Sequence, residues 1–260
     1  MRNPLPSALA PAAVVLAAAA EAPVPARAQT DEIQVYNGEI AAPGAFGGTW
    51  HNNYAAIGRK QADFPGGVKP DGALNGVTEF TYGVRDWFEL GAYAPFLYTV
   101  TSNGQFLLDG VKLRALAVSP GAKDRTFFYG LNVELGYSAK HWQPERVNSE
   151  FRPILGLHLG RWELIVNPIV DMAVGRHMTP ELAPASRVAY ALSDSWTIGL
   201  EHYSELGPIN NLLGLSRQSH TGYAVVDWAF EPYDIEFGIG HGFTSASDPL
   251  IMKLLITRSF

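Results

Sequence analysis

From about residue 45 to residue 260 the chain is a run of strand-like segments joined by connections that are alternately long and short. Within each segment apolar and polar residues alternate at period two, and turn-forming residues cluster between segments. Twelve segments fall near 45–55, 74–84, 87–98, 105–117, 125–138, 149–159, 162–173, 184–192, 195–205, 217–230, 233–243 and 249–259. Tight links at Arg85-Asp86, Ser119 to Asp124, Gly160-Arg161, Ser193-Asp194 and Glu231-Pro232 alternate with longer ones at 57–73, 99–104, 139–148, 175–183, 205–216 and 244–248. The links 99–104 and 244–248 are no longer than the one at 119–124, so the contrast is not uniform. An up-and-down sheet of this kind has two unlike ends, and an even strand count brings both of its own ends to the same side.

The two faces of each segment differ sharply. In the third, Phe88, Leu90, Ala92, Ala94 and Phe96 oppose Glu89, Gly91 and Tyr93. In the seventh, Trp162, Leu164, Val166 and Val170 oppose Glu163, Asn167 and Asp171. Trp196, Ile198 and Leu200 oppose Thr197, Gly199 and Glu201, and Tyr233, Ile235, Phe237 and Ile239 oppose Asp234, Glu236, Gly238 and Gly240. A slip of one residue would exchange the faces, so register is strongly set. Charged residues are 17% of the chain, below the roughly 25% of soluble proteins. Mean hydropathy is nevertheless zero. Outside the N-terminus no stretch approaches the ~18 apolar residues of a membrane-spanning helix. Alternation dilutes the apolar content, as in a sheet with one face in lipid and the other in a polar interior. The pattern predicts an all-β, antiparallel up-and-down transmembrane β-barrel of about twelve strands, located in a bacterial outer membrane. Short turns face the periplasm in such barrels, which places both termini there.

Aromatic residues recur directly after the tight links: Trp87, Phe127, Trp162, Trp196 and Tyr233. A ring of amphipathic aromatics at one level is the girdle expected at a membrane interface. The last segment ends on Phe260, a terminal aromatic that resembles the signal read by outer-membrane assembly machinery. Outer-membrane lipid, that machinery and a small solute are therefore the expected partners.

The N-terminus reads differently. Arg2 precedes an alanine-rich apolar stretch from Leu9 to Ala20, and Ala26-Arg27-Ala28 is a small-x-small cleavage pattern. Residues 1–28 are expected to be a signal peptide. Residues 29–44 form a short amphipathic segment that could lie in the periplasmic mouth or inside the lumen, and residues 45–260 form the barrel.

With no cysteine, the chain has no disulfide, thiolate metal site or cysteine nucleophile. A net charge of −6 with no basic patch argues against nucleic acid. Phosphate-loop, zinc-helix and nucleophile-elbow motifs are absent, and no cofactor or metal is expected. By parity the inward set comprises Glu79, Glu89, Lys112, Arg114, Glu134, Arg152, His158, Glu163, Asn167, Asp171, Arg187, Glu201, Asp227, Glu236 and Lys253. Such a set can select and conduct polar solutes, or its members can pair and fill a narrow barrel. Acids outnumber bases in it by eight to five, a bias toward cations that pairing would cancel. Twelve strands fall between small filled barrels and open sixteen-strand porins, so the lumen is expected to be narrow or partly plugged.

Two other readings accompany the channel. His202 and Ser204 share a strand face, as a base and a nucleophile must in an outer-membrane phospholipase, although Glu205-Leu206 follows the serine where that family has Asn-Gly. A non-conducting structural or adhesive barrel is the third.

Several stretches bear a family likeness: Asp31-Glu32-Ile33-Gln34-Val35-Tyr36, His51-Asn52-Asn53-Tyr54, and repeated elements in which a turn is followed by Trp and, three or four residues on, by Gly, namely Arg85-Asp86-Trp87-Phe88-Glu89-Leu90-Gly91 and Ser193-Asp194-Ser195-Trp196-Thr197-Ile198-Gly199-Leu200-Glu201. In these the chain resembles outer-membrane proteins grouped as the MetA-pathway of phenol degradation family. The resemblance implies an outer-membrane barrel that moves small or hydrophobic compounds, and it carries over no catalytic residue.

Overall fold

A computed structural model describes residues 32–174 and 179–260; the expected signal peptide lies outside them. Within them the strands are β1 Phe46–Ile57, β2 Leu74–Arg85, β3 Phe88–Val100, β4 Phe106–Val118, β5 Phe127–Ser138, β6 Val147–Leu159, β7 Trp162–Asn167, β8 Val170–Val174, β9 Glu181–Leu182, β10 Ala185–Ala191, β11 Trp196–Glu205, β12 Gly207–Pro208, β13 Ser219–Phe230, β14 Tyr233–Gly242 and β15 Leu250–Ser259. All pairings are antiparallel, and β1 pairs with β15 to close the sheet into a barrel. β7 and β8 make one stave, as do β9 with β10 and β11 with β12, giving twelve staves. Among the described residues only the two-residue β12 at the far end of its stave keeps an unpaired edge, so the rest of the sheet meets the condition for standing in hydrocarbon. Among the described residues no helix is long and apolar enough to cross a membrane.

The seventh stave is not the continuous strand its alternation suggests. Pro168 has no N–H to give the ladder. The chain tightens there, with Ile169 N–H donating to Asn167 O at 3.0 Å, and pairing resumes where Ala183 N–H meets Ile169 O at 3.0 Å. Pro184 interrupts the eighth stave in the same way. The link at 119–124 contains a short 3-10 turn, Ala122–Asp124.

The two faces are inverted relative to a soluble domain. Leu113 and Leu200 are 63% and 68% exposed, while their neighbours Arg114 and Glu201 are 8% and 3% exposed. Large apolar side chains point outward from every stretch of wall, and charged ones are enclosed, the reverse of the usual partition. One bulge keeps this order in β4. Gly110 adopts φ 153°, and a Cβ there would lie 2.3 Å from Tyr137 O. The extra residue lets Asp109 and Lys112, of opposite parity, both turn inward.

The end of the barrel at residues 45 and 260 is called here the terminal rim, and the opposite end the far rim. Around the terminal rim Trp87, Phe127, Trp162 and Trp196 are exposed, and Tyr233 is half-buried. Trp162 packs on Tyr190 (4.9 Å between centroids) and Trp196 stacks on Trp228 (5.3 Å). Phe260 is exposed; its N–H donates to Phe46 O at 2.8 Å, and Arg258 lies over its ring. At the far rim, Arg59 ties the 57–73 loop to Asp248 (3.0 Å) and Asp63. In that loop the Lys60 ammonium and the Gly58 N–H hold the Asp71 carboxyl below its usual range.

Phe128 shows how glycine makes room inside. Its ring is fully buried and lies across Gly156 of the next strand, where a Cβ would sit 2.0 Å from the ring. Gly156→Val is expected to unseat Phe128 and destabilise the barrel by about 1–3 kcal/mol, the usual cost of overpacking. A lower midpoint for the heat-dependent gel-mobility shift would register it, and an unchanged midpoint would refute this packing account.

Candidate functional site

The interior of the barrel holds two things: a belt of ionisable side chains on the wall, and the segment before β1. That segment, residues 32–44, turns back from the terminal rim and runs up inside the wall. Gly83 admits it, because a Cβ there would lie 2.2 Å from Ala42 O. Gly44 N–H donates to Gly83 O (2.7 Å), Gly83 N–H to Ala45 O (3.0 Å), and Ala41 N–H to Glu89 Oε2 (2.5 Å).

Further up, one side chain does the work of a neighbouring strand. Asn167 Oδ1 accepts from Tyr36 N–H at 2.8 Å, and its Nδ2 donates to Tyr36 O at 3.1 Å. Both backbone polar groups of Tyr36 are thereby satisfied, as buried ones must be. Tyr36 OH donates to Tyr93 OH (2.9 Å), which donates to Glu32 Oε2 (2.9 Å). The carbonyls of Gln34 and Ile33 accept from Arg152 Nη1 (3.0 Å) and Lys253 Nζ (3.2 Å). Val35 and Tyr36 pack in an apolar strip with Leu116, Phe128, Ile154 and Ile165, and Ile33 packs on Tyr223 and Val225. The segment thus touches opposite parts of the wall at mid-height.

The charged belt takes at least one titratable residue from every stave. On one side, Arg114 is clasped by Glu79 and by Glu89 (Nη2 to Oε1, 2.6 Å), and Glu79 also meets His51 Nε2 at 3.2 Å. Lys112 reaches Glu134 at 3.0 Å and Glu32 at 3.8 Å. Arg152 donates twice to Glu150, at 2.7 and 3.0 Å, and lies 3.7 Å from Glu32. Asp171 stands opposite Glu150 in the β6–β8 ladder. On the other side, Arg187 gathers four carboxylates: Glu201 (2.6 Å), Glu236 (3.2 Å), Glu163 (3.4 Å) and Asp227. Lys253 bridges Glu201 and Glu236, both at 2.5 Å. His158 joins through Glu163 at 3.4 Å and stacks on Phe128.

All fifteen side chains singled out by parity fall in this interior. Fourteen lie in or beside the two networks, and Asn167 holds the segment. The belt also contains Glu32, Tyr36, His51, Tyr93, Asn132 and Glu150, which the sequence reading did not single out. Glu150 shares the parity of Arg152, and Tyr93 that of Glu89, so alternation alone carried those two. Glu32 and Tyr36 stand in an amphipathic stretch that the sequence does single out, but nothing local assigns them to the belt. Five cations, Lys112, Arg114, Arg152, Arg187 and Lys253, face nine wall carboxylates and Glu32. A space of about 640 Å³, open toward the terminal rim, remains between segment and wall, with Arg114, Glu163, Arg187, Asp227 and Glu236 on its lining.

His202 and Ser204 share a face, and it is the outward one of β11. Ser204 Oγ donates to Pro184 O at 3.1 Å, while His202 Nε2 lies 3.3 Å from His220 Nδ1 with the two rings stacked. Each is bonded elsewhere, so the serine is not presented to the histidine as a nucleophile to its base. Among the described residues no cluster of His, Cys, Asp or Glu has the geometry to hold a metal ion.

No protein-family description matches the chain, and no curated protein sequence does. Among solved structures it is similar to the COG4313 outer membrane channel from Pseudomonas putida F1. The TM-score is 0.57 at 15% identity, over 88% of this chain and all of that one. The outer membrane channel DcaP of Acinetobacter baumannii gives 0.36 at 12% identity, over 85% of this chain and all of that one. Only the first exceeds 0.5, and at that identity it speaks to the fold alone.

Proposed function

We propose that this chain is an outer-membrane β-barrel that passes small solutes through a narrow lumen partly plugged by its own N-terminal segment. The observation that carries this reading is how the wall charges are paired. Each ion pair described between wall residues joins staves no more than three apart among the twelve. Such pairs coat the wall without bridging the bore. What crosses the bore is residues 32–44, a single strip of chain beside an open polar space. A structural barrel has no need of that space.

The reading includes an orientation: tight links and both termini in the periplasm, longer loops outside. It includes membership of the MetA-pathway of phenol degradation family, supported by the likeness to the COG4313 channel, which is itself an outer membrane channel. It assigns the exposed rings at the terminal rim to the inner headgroup region and Phe260 to recognition by the assembly machinery.

Recording the purified protein in a planar lipid bilayer tests it. Discrete conductance steps, smaller than those of an open sixteen-strand porin, are expected. Silence from both the full chain and a variant lacking residues 32–44 would discard the channel. For the hydrolase reading, Ser204→Ala is expected to leave fatty-acid release from phospholipid unchanged at background, and loss of a real activity would reinstate it.

A further inference from the structure

The outward wall carries one feature that conduction does not require. Near the far rim, where β4 bulges at Gly110, a groove of about 300 Å³ opens between the fourth and fifth staves. Leu108, Val111, Tyr137 and Ala139 line it with apolar surface, and Gly110 contributes depth by having no side chain. Leu108, Val111 and Tyr137 are largely exposed and face outward. Arg146, just before β6, adds the one charged side chain to the lining. Its Nη1 donates to Tyr137 OH at 2.7 Å and its guanidinium lies 5.7 Å from that ring. Among the described residues no carboxylate is within ion-pair distance of it.

A guanidinium with no carboxylate partner among the described residues, fixed beside an apolar groove on a lipid-facing wall, asks for a ligand with two ends. One end is an acyl chain, which gains about 0.8 kcal/mol per buried CH₂. The other is an anion with several oxygens, since a guanidinium's remaining N–H groups form the planar fork that phosphate matches. Depth selects the source. The groove lies at the far rim, which the proposed orientation puts at the outer leaflet, and the anionic lipid of that leaflet is phosphorylated glycolipid. We infer that this groove is a docking site for the lipid A portion of lipopolysaccharide, with an acyl chain along Leu108 and Val111 and a phosphate on Arg146. The inference rests on the orientation given under Proposed function.

Native mass spectrometry of the full chain in detergent, with bis-phosphorylated hexa-acyl lipid A as probe, tests the site. The wild type is expected to retain one lipid A. Arg146→Ala is expected to lower that occupancy about tenfold, the worth of one charged hydrogen-bonded contact. Val111→Trp, which fills the groove and keeps the arginine in the chain, is expected to lower it as well. Equal retention by Arg146→Ala, or equal retention of phosphatidylglycerol by the wild type, overturns the assignment. Orientation is read separately. The chain has no cysteine, so Lys69→Cys in the 57–73 loop can be labelled on intact cells by an impermeant maleimide. Labelling without lipid A retention rejects the docking site alone; no labelling rejects the orientation beneath it.

Discussion

Deleting residues 32–44 is expected to raise single-channel conductance several-fold and to leave a folded barrel. The first half follows from geometry, because that strip lies in the bore from the terminal rim to the level of Arg152 and Lys253. The second follows from the wall. Without the segment, Arg152 keeps Glu150, Lys112 keeps Glu134, and Lys253 keeps Glu201 and Glu236. No wall cation is stranded, and the lumen loses two carboxylates, Glu32 and Glu39. Phe128 and Ile154 become wetted on one side, a cost that one hydrophobic strip can bear without unfolding twelve paired staves. The measurement is the ratio of unitary conductances of the two proteins in the same salt. A ratio near one would mean that the segment does not limit the path.

Arg187→Leu is expected to have the opposite character, with little to record because little folds. Arg187 is 5% exposed and stands among Glu163, Glu201, Asp227 and Glu236. Removing the cation leaves four carboxylates with one lysine, Lys253, and with His158 beside Glu163. Breaking a buried charge network in this one-sided way costs about 3–5 kcal/mol, a large share of the 5–15 kcal/mol, or about that, by which a domain is stable. The readout is loss of the fast-migrating folded band in unheated gels. The mechanism is electrostatic, so it has a signature beyond mere loss. Folding yield should recover as the pH is lowered toward about 4, where carboxylates take up protons. Recovery for Arg187→Leu but not for Gly156→Val would separate charge repulsion from lost packing. A variant that folds equally well at neutral pH would show that the guanidinium is dispensable.

Much of this barrel can be read from its chain because every side chain in a closed sheet has only two directions. Glu201 between Leu200 and His202, or Asp227 between Val226 and Trp228, is assigned to a face by parity alone. Contacts between distant parts of the chain are another matter. Alternation in Ile33 to Tyr36 is visible, but inside a lumen both faces of that segment meet wall. What decides its place are partners such as Asn167 and Lys253, 131 and 220 residues away. The same limit governs His202 and Ser204. Their shared face is legible, whereas the carbonyl of Pro184 that accepts the serine's hydrogen bond comes from the adjacent stave. The break at Pro168 could be suspected from the missing N–H, yet the restored ladder depends on Ala183, beyond a loop.

The seam has its own consequence. Gly47 pairs with Ser259 and Tyr54 with Met252, so the first and last staves meet only when nearly the whole chain is present. Loop-closure entropy makes such a pairing late. A polypeptide shortened by its last ten residues would keep every other hairpin and still expose two raw sheet margins, sticky and unable to enter bilayer. Completion is therefore verified by topology itself: an unfinished copy fails entirely and cannot persist as a leaky wall.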